Sequence, residues 1–476
     1  MLKVINHEGN RYLRNQEIGI VVNNMDDEGS AAAGINCRDA AYHIGLSIHD
    51  LFRGTGAKLT DDANIDYVPW DENLSDPKAK KLESIVTSAS AGADAVQDIL
   101  HNGKKALSIG GNHTRGFDVI GALRYCHEQG IEMGLIWVDA HADLNTPETT
   151  PSGNIHGMVA ATLTGRGPKE LLALLKEAPF LKPENIMYVG LNDVDDQEGA
   201  PSTERQYLEE LKALGMTVCE MPDVKNKDDP EKMPQKVLDK VAAFSDRLRE
   251  KGGKLWVELD ADVFDVQDMK AAVMDNTLGG MRAKQGYELF ELIGKKNDIL
   301  GMGISELAPD KDPEKEGAKI MAHCVAKAFG IANPVYEELK KRHPDRVNIY
   351  TLDPTKEQYS VGFRRFYKEP GCEYVTSGNQ DCYVVKDGAV IEIKRFGGPS
   401  EEPQDIAPGM RVKARGTGIR YLGYDVGTIE RIILPNTERE TDHVLVVRTN
   451  SGLVRNMKIG EVLILNGGDI DTIAQA

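Results

Sequence analysis

The sequence predicts an α/β protein built on a parallel sheet with helices on both faces, followed by a small all-β module. Three observations predict it. Short apolar runs recur between residues 17 and 305, amphipathic stretches of helical period lie between them, and beyond about residue 345 the helical periods give way to short β-like runs. Strands buried on both faces read as continuous apolar runs, and their alternation with helices implies parallel crossovers.

In chain order, the strand candidates are EIGIVV (17–22), ALSIGG (106–111), GLIWVDA (134–140), NIMYVGL (185–191), LWVELDAD (255–262) and LGMGIS (300–305). ESIVTSASAGADAVQDILHNG and PQKVLDKVAAFSDRLREKGG, between them, repeat apolar residues at helical spacing. After VYEELKKRHPDR the β-like runs are DCYVV, AVIEIKRF, MRVKARG, GTIERIIL, HVLVVRT and EVLIL, with turn residues such as KDG and NSG among them. GGPSEEPQDIAPG (397–409) has the Pro, Gly and acidic content of a linker. The expected division is a catalytic-size core over 1–343, a β-rich connector over 344–400 and a small β-barrel-like module over 401–476.

A chain of 476 residues is long enough for two or three domains. Its net charge of −18 argues against a nucleic-acid or anionic-membrane partner. No run approaches the ~18 apolar residues of a membrane span. The start, MLKVINHEGNRYLRN, lacks a charged-then-apolar signal pattern, and the six cysteines form no CxxC pair. A reduced, cytoplasmic setting is expected.

Polar residues cluster where the strands end, which is where ligands bind in such sheets. SIGGNHT offers His113. VDAHADLN offers Asp139, His141 and Asp143 on alternate positions, expected to share one side of a strand end. VELDADVFD offers Asp260 and Asp262. Unpaired buried charge is costly, so such a convergence calls for a cation. Two histidines and four carboxylates suit two hard or borderline divalent ions, Mn²⁺ most naturally. A metal pair lowers the pKa of a bridging water, which points to metal-assisted hydrolysis.

The segment VDAHADLNTPETTPSGNIHGM (138–158) resembles the signature of the arginase branch of the ureohydrolase family. SIGGNHT is similar to that family's GGDHS, YVGLNDVDDQE (188–198) to its GLRDVDxxE, LDADVFD to its DVDGLDP and ISELAPD (304–310) to its MEVNP. The resemblance runs from about residue 15 to 335. It implies a three-layer α/β sandwich, two Mn²⁺ per chain bridged by hydroxide, and hydrolysis of L-arginine to ornithine and urea. It implies His156 as a proton shuttle, Glu306 as the guanidinium-holding carboxylate and Asp143 as a catalytic metal ligand. It implies Asn145 and Ser152 as receivers of the substrate α-carboxylate, and Asp195 with Glu198 for the α-amine. A homo-oligomer is likewise implied.

The chain departs from the pattern in three places. Asn112 replaces the Asp of GGDHS, VMDNTLGG (273–280) replaces TGTPxxGG with Asp275 or a neighbour where the family faces the guanidinium with Thr, and ELAP replaces EVNP. These changes spare every expected metal ligand. They leave open a related ureohydrolase acting on agmatine, a guanidino acid or an arginine derivative. A catalytically weak regulatory or scaffold protein is the alternative of a different class.

Overall fold

The computed structural model describes residues 16–24, 37, 39–52, 57–65, 76–194, 202–274, 276 and 279–331, together with eleven short strands between 349 and 464. The chain divides into two compact units, Met1–Arg342 with Asp387–Ala389, and His343–Lys386 with Val390–Ala476.

The first unit is organised by an eight-stranded sheet. Its strands are β1 (Glu17–Asn23), β2 (Lys58–Ile65), β3 (Lys105–Gly110), β4 (Met133–Val138), β5 (Ile186–Leu191), β6 (Thr217–Glu220), β7 (Lys254–Asp260) and β8 (Ile299–Ser305). They lie in the order β2-β1-β3-β8-β7-β4-β5-β6, and each neighbouring pair is parallel. The six expected strands are all present. β2 and β6 were not legible as strands, and both are edges of the sheet. An edge strand is half solvated, so β2 reads KLTDDANI without a continuous apolar run, and β6 has only four residues.

Successive side chains alternate between two cores. On β4, Leu135 and Trp137 enter one cluster while Ile136 and Val138 enter the other. On β5, Ile186 and Tyr188 oppose Met187 and Val189 in the same way. Helices α2 (Leu82–His101), α3 (Val119–Gln129) and α4 (Thr203–Ala213) cover the Trp137 face; α1 (Ala40–Phe52), α5 (Gln235–Glu250), α6 (Ala283–Lys296) and α7 (Glu316–Ala328) cover the other. The result is helix, sheet, helix. Each large apolar side chain fully buried this way contributes roughly 1.5–3 kcal/mol. None of the described helices is long and apolar enough to cross a membrane.

In the second unit, β12 (Cys372–Ser377) pairs antiparallel with β13 (Cys382–Lys386) and with β9 (Ile349–Thr351), and β14 (Ala389–Lys394) completes the order β14-β13-β12-β9. β10 (Gln358–Val361) and β11 (Arg364–Tyr367) form an antiparallel pair. β15 (Arg411–Ala414), β16 (Val426–Ile433), β17 (Val444–Thr449), β18 (Val454–Lys458) and β19 (Val462–Ile464) form an antiparallel sheet ordered β18-β17-β16-β15-β19. The linker candidate 397–409 lies outside the described residues.

Among the described residues, the eight-stranded sheet takes no strand from beyond residue 342. A chain cut after that residue should therefore keep a single cooperative thermal transition, measured by far-ultraviolet circular dichroism, and keep its helical signal at room temperature.

Candidate metal centre and active site

The four central strands β3, β8, β7 and β4 deliver their carboxyl ends side by side. β3 stops at Gly110, and a short 3-10 turn, His113–Asp118, begins three residues on. Asn112 starts that turn: its side-chain carbonyl accepts from Thr114 N at 3.1 Å. The Asn in place of the family's Asp is thus an N-cap, a position where either residue serves. His113 is buried, and its ring stacks on Trp137 with centroids 4.6 Å apart and planes 14° apart.

β4 ends at Val138, so Asp139, His141 and Asp143 lie past the strand. They do not converge by strand alternation alone, which corrects the sequence-based expectation. Asp139 and His141 remain tied to the next strand's end through Asp139 N to Val189 O at 3.2 Å and a parallel bridge between His141 and Asp193. Asp143 is turned back by a left-handed backbone, φ +51°. On β7, Asp260 is the last strand residue, and its Oδ1 accepts from Asp262 N at 2.9 Å, which folds Asp262 into a short turn.

Three carboxylates meet one imidazole nitrogen. His113 Nδ1 lies 3.2 Å from Asp139 Oδ2, 3.0 Å from Asp143 Oδ2 and 3.0 Å from Asp260 Oδ2. Beside it, His141 Nδ1 lies 2.8 Å from Asp262 Oδ2 and 3.8 Å from Asp139 Oδ1. His113, Asp139 and Asp143 form one group able to hold an ion; Asp139, His141 and Asp262 form a second, so Asp139 is common to both. Trp137 Nε1 donates to Asp139 Oδ2 at 2.9 Å and fixes that shared carboxylate.

Burial and mutual charge perturb the titration of this cluster strongly. Burial pushes Asp139 up to about 7, and the charge of Asp262 adds to the effect. Burial, with Asp262 and Asp139, raises Asp260 well above the carboxylate range. Burial alone would lower His113 and His141. The charge of Asp143 and hydrogen bonds to Asp139, Asp143 and Asp260 instead hold His113 well above the usual imidazole value, and Asp262 does the same for His141. For Asp262, burial is outweighed by the charge and hydrogen bond of His141, which lower its pKa. Asp143 Oδ2 is buried, and its close polar neighbour is His113 Nδ1 at 3.0 Å. Two imidazoles and four carboxylates crowded into one cluster fit a pair of divalent ions: the donors are oxygen-rich, and two dications would balance four carboxylates.

A cavity of about 290 Å³ opens over the cluster. His113, His141, Asp143, Asp260 and Asp262 contribute to its wall, as do Asn145, Ser152, His156 and Glu306. The structure therefore brings the expected metal donors together with four of the other expected site residues. Asp195, Glu198 and Asp275 lie outside the described residues. Glu306 follows β8 with φ +63°, and its Oε1 accepts from His113 N at 2.7 Å. Burial raises Glu306 to about 7, against the pull of the His156 charge.

The altered loop closes over one side. Val273 N donates to Glu306 O at 2.9 Å, Asn276 Nδ2 to Asp262 O at 2.9 Å and Asn192 Nδ2 to Asn276 Oδ1 at 3.0 Å, while Val273 and Met274 enter the cavity wall. Glu204, near the start of α4, was not singled out from sequence. It is buried, accepts from Leu144 N at 2.9 Å and also lines the cavity. A single glutamate near a helix start carries no signal of this in the sequence.

The arginase family profile matches residues 21–330. The chain belongs to the arginase family. It is 29% identical to the arginase of Bacillus subtilis strain 168 over 304 residues, covering 64% of this chain and 95% of that one. It is 30% identical to the arginase of Staphylococcus aureus strain COL over 231 residues, 48% of this chain and 69% of that one. The crystal structure of the Bacillus subtilis arginase superposes with a TM-score of 0.56 at 26% identity, covering 67% of this chain and 99% of the other. The arginase from Bacillus cereus, at 24% identity and a TM-score of 0.56, shares the fold. This arginase-family chain is accordingly a hydrolase of the amidinohydrolase type, in a family that depends on two metal ions. Residues 331–476 lie outside the family match.

Stability should report the metal. A group whose pKa is raised on folding contributes stability below its unfolded pKa and loses it as the pH rises through its folded pKa. Asp139, Asp260, Glu306, His113 and His141 are all of this kind, and only Asp262 opposes them. Metal donors must also be deprotonated to bind. The melting temperature of Mn²⁺-loaded protein minus that of the metal-free protein should therefore widen from about pH 5 to about pH 8. Calorimetry with and without chelator measures it.

Proposed function

We propose that this arginase-family enzyme hydrolyses the guanidinium group of L-arginine to ornithine and urea with two Mn²⁺ per chain. The observation that carries the reading is the joining, in one cavity, of two donor groups sharing Asp139 with Asn145, Ser152, His156 and Glu306 in the wall. His113, Asp139, Asp143 and Asp260 would hold one ion, and His141, Asp139, Asp260 and Asp262 the other. Bound divalent ions supply a water whose pKa falls toward neutrality.

The chain's own groups do the rest. Glu306 is a buried carboxylate with one oxygen already anchored on His113 N, which leaves the other to pair with the guanidinium by charge-assisted hydrogen bonds. An arriving cation reverses the burial penalty that raises its pKa. Water oxygen adds to the guanidinium carbon and the bond to the side-chain nitrogen breaks. That nitrogen needs a proton, and the group that would hand one over is His156, half-buried in the cavity wall. At the far end, Asn145 and Ser152 receive the α-carboxylate, with Asp195 and Glu198 for the α-ammonium. Asn145 is seated by its own backbone N–H on Gly157 O at 3.0 Å and by Thr149 Oγ1 on its Oδ1 at 3.0 Å.

A second reading, a ureohydrolase acting on agmatine, a guanidino acid or an arginine derivative, is favoured by one observation. Val273 and Met274, from the altered VMDNTLGG segment, and Glu204, from outside the motifs, add wall surface, including one further buried carboxylate.

Urea release from L-arginine, agmatine and 4-guanidinobutyrate in parallel, with Mn²⁺ present, separates the readings. Buried hydrogen bonds left unmade cost about 1–3 kcal/mol each, so arginine should exceed agmatine at least about a hundredfold in kcat/KM. Asn145→Ala should lower arginine turnover and barely change agmatine turnover. Elemental analysis should find two Mn²⁺ per loaded chain, and Asp143→Ala or Asp262→Ala should abolish most activity.

A further inference from the structure

β7 carries a glutamate where its neighbours are apolar. Glu258, in KLWVELD, is fully buried. Its partner is Arg115, also fully buried, from the turn after β3. Arg115 Nη1 lies 3.4 Å from Glu258 Oε1, and Nη2 bonds Oε2. Trp256 Nε1 also donates to Oε1, at 2.6 Å. The pair threads past β8 at Gly303, where a Cβ would collide with both Arg115 Nη1 and Glu258 Oε2. An isosteric apolar pair would often be as stable as a buried ion pair or more so, so this one calls for a role other than stability.

That role is supplied by His113. Its Nδ1 faces three carboxylates, while its Nε2 is buried without a hydrogen-bond partner and lies 4.0 Å from Glu258 Oε2. An imidazole that gives Nδ1 to a cation carries its proton on Nε2, and a buried N–H needs an acceptor. Glu258 is the carboxylate on that side, and an approach of about 1 Å completes the bond. We propose that Glu258, clamped by Arg115, is a positioning residue of the metal centre, taking the Nε2–H of His113 when Nδ1 holds a divalent ion. This fixes the ring's tautomer and direction and strengthens its donor nitrogen. Arg115 pairs with that carboxylate and balances its charge. The inference rests on His113 being a metal ligand.

The test titrates the metal-free full chain with Mn²⁺ against a competing chelator and measures its melting without metal. Glu258→Gln and the paired change Arg115→Leu with Glu258→Leu are compared with wild type. One of the two Mn²⁺ steps should weaken about ten- to a hundredfold in the paired variant, less in Glu258→Gln, whose amide oxygen can still accept. The other step should hold, and the metal-free paired variant should melt no lower than wild type. Two unweakened steps in the folded paired variant would overturn the inference, as would equal loss at both steps with a lower metal-free melting point. A wild type that binds no Mn²⁺ would instead defeat the reading of His113. Independently of the Glu258 variants, Zn²⁺-loaded wild type should show a downfield, slowly exchanging imidazole N–H that His113→Asn removes; its absence would also overturn the inference.

Discussion

Four buried carboxylates, the buried imidazole of His113 and the half-buried imidazole of His141, gathered past the ends of adjacent strands, form the constraint on which this fold depends. In a parallel sheet every carboxyl end points to the same edge, so residues far apart in sequence can meet there. The order β3-β8-β7-β4 makes His113, Glu306, Asp260 and Asp139 neighbours although up to 193 positions separate them. A sheet ordered by sequence alone would have scattered them. The same arrangement creates an electrostatic debt, visible in carboxyl groups pushed toward neutral pH by burial and by one another. Divalent ions are the natural remedy for a cluster of this composition.

Backbone strain sits at the same place. Asp143 and Glu306 both take left-handed conformations without being glycine, each costing on the order of 1–3 kcal/mol. Neighbouring hydrogen bonds over-determine both. Ala161 N donates to Asp143 O at 3.0 Å, and Leu144 N is taken by Glu204. Glu306 N donates to Gly111 O at 2.9 Å while its carbonyl accepts from Val273 N at 2.9 Å. The loop that departs most from the family pattern thus also braces Glu306.

The departures in sequence acquire distinct meanings once placed. Asn112 replaces an acid yet caps the turn that carries His113. Arg115 and Glu258 are charged residues in a region of apolar strands, and they meet beneath the same histidine. The second unit, by contrast, is a set of short antiparallel strands beyond the arginase-family match.

Much of this was legible in sequence, for a physical reason. Interior strands buried on both faces must be apolar throughout, so β1, β3, β4, β5, β7 and β8 announced themselves; the edge strands β2 and β6 have a solvated side and did not. His113, Asp139, His141, Asp143, Asp260 and Asp262 were legible as candidate donors because they follow apolar runs closely, where a buried charge needs a partner. Their grouping was not, since strand order and the left-handed turn at Asp143 are set by long-range packing. Glu204 and the Arg115–Glu258 pair were likewise beyond a linear reading. A lone charge in a sequence says that a partner must exist, but only the packed sheet decides which residue it is.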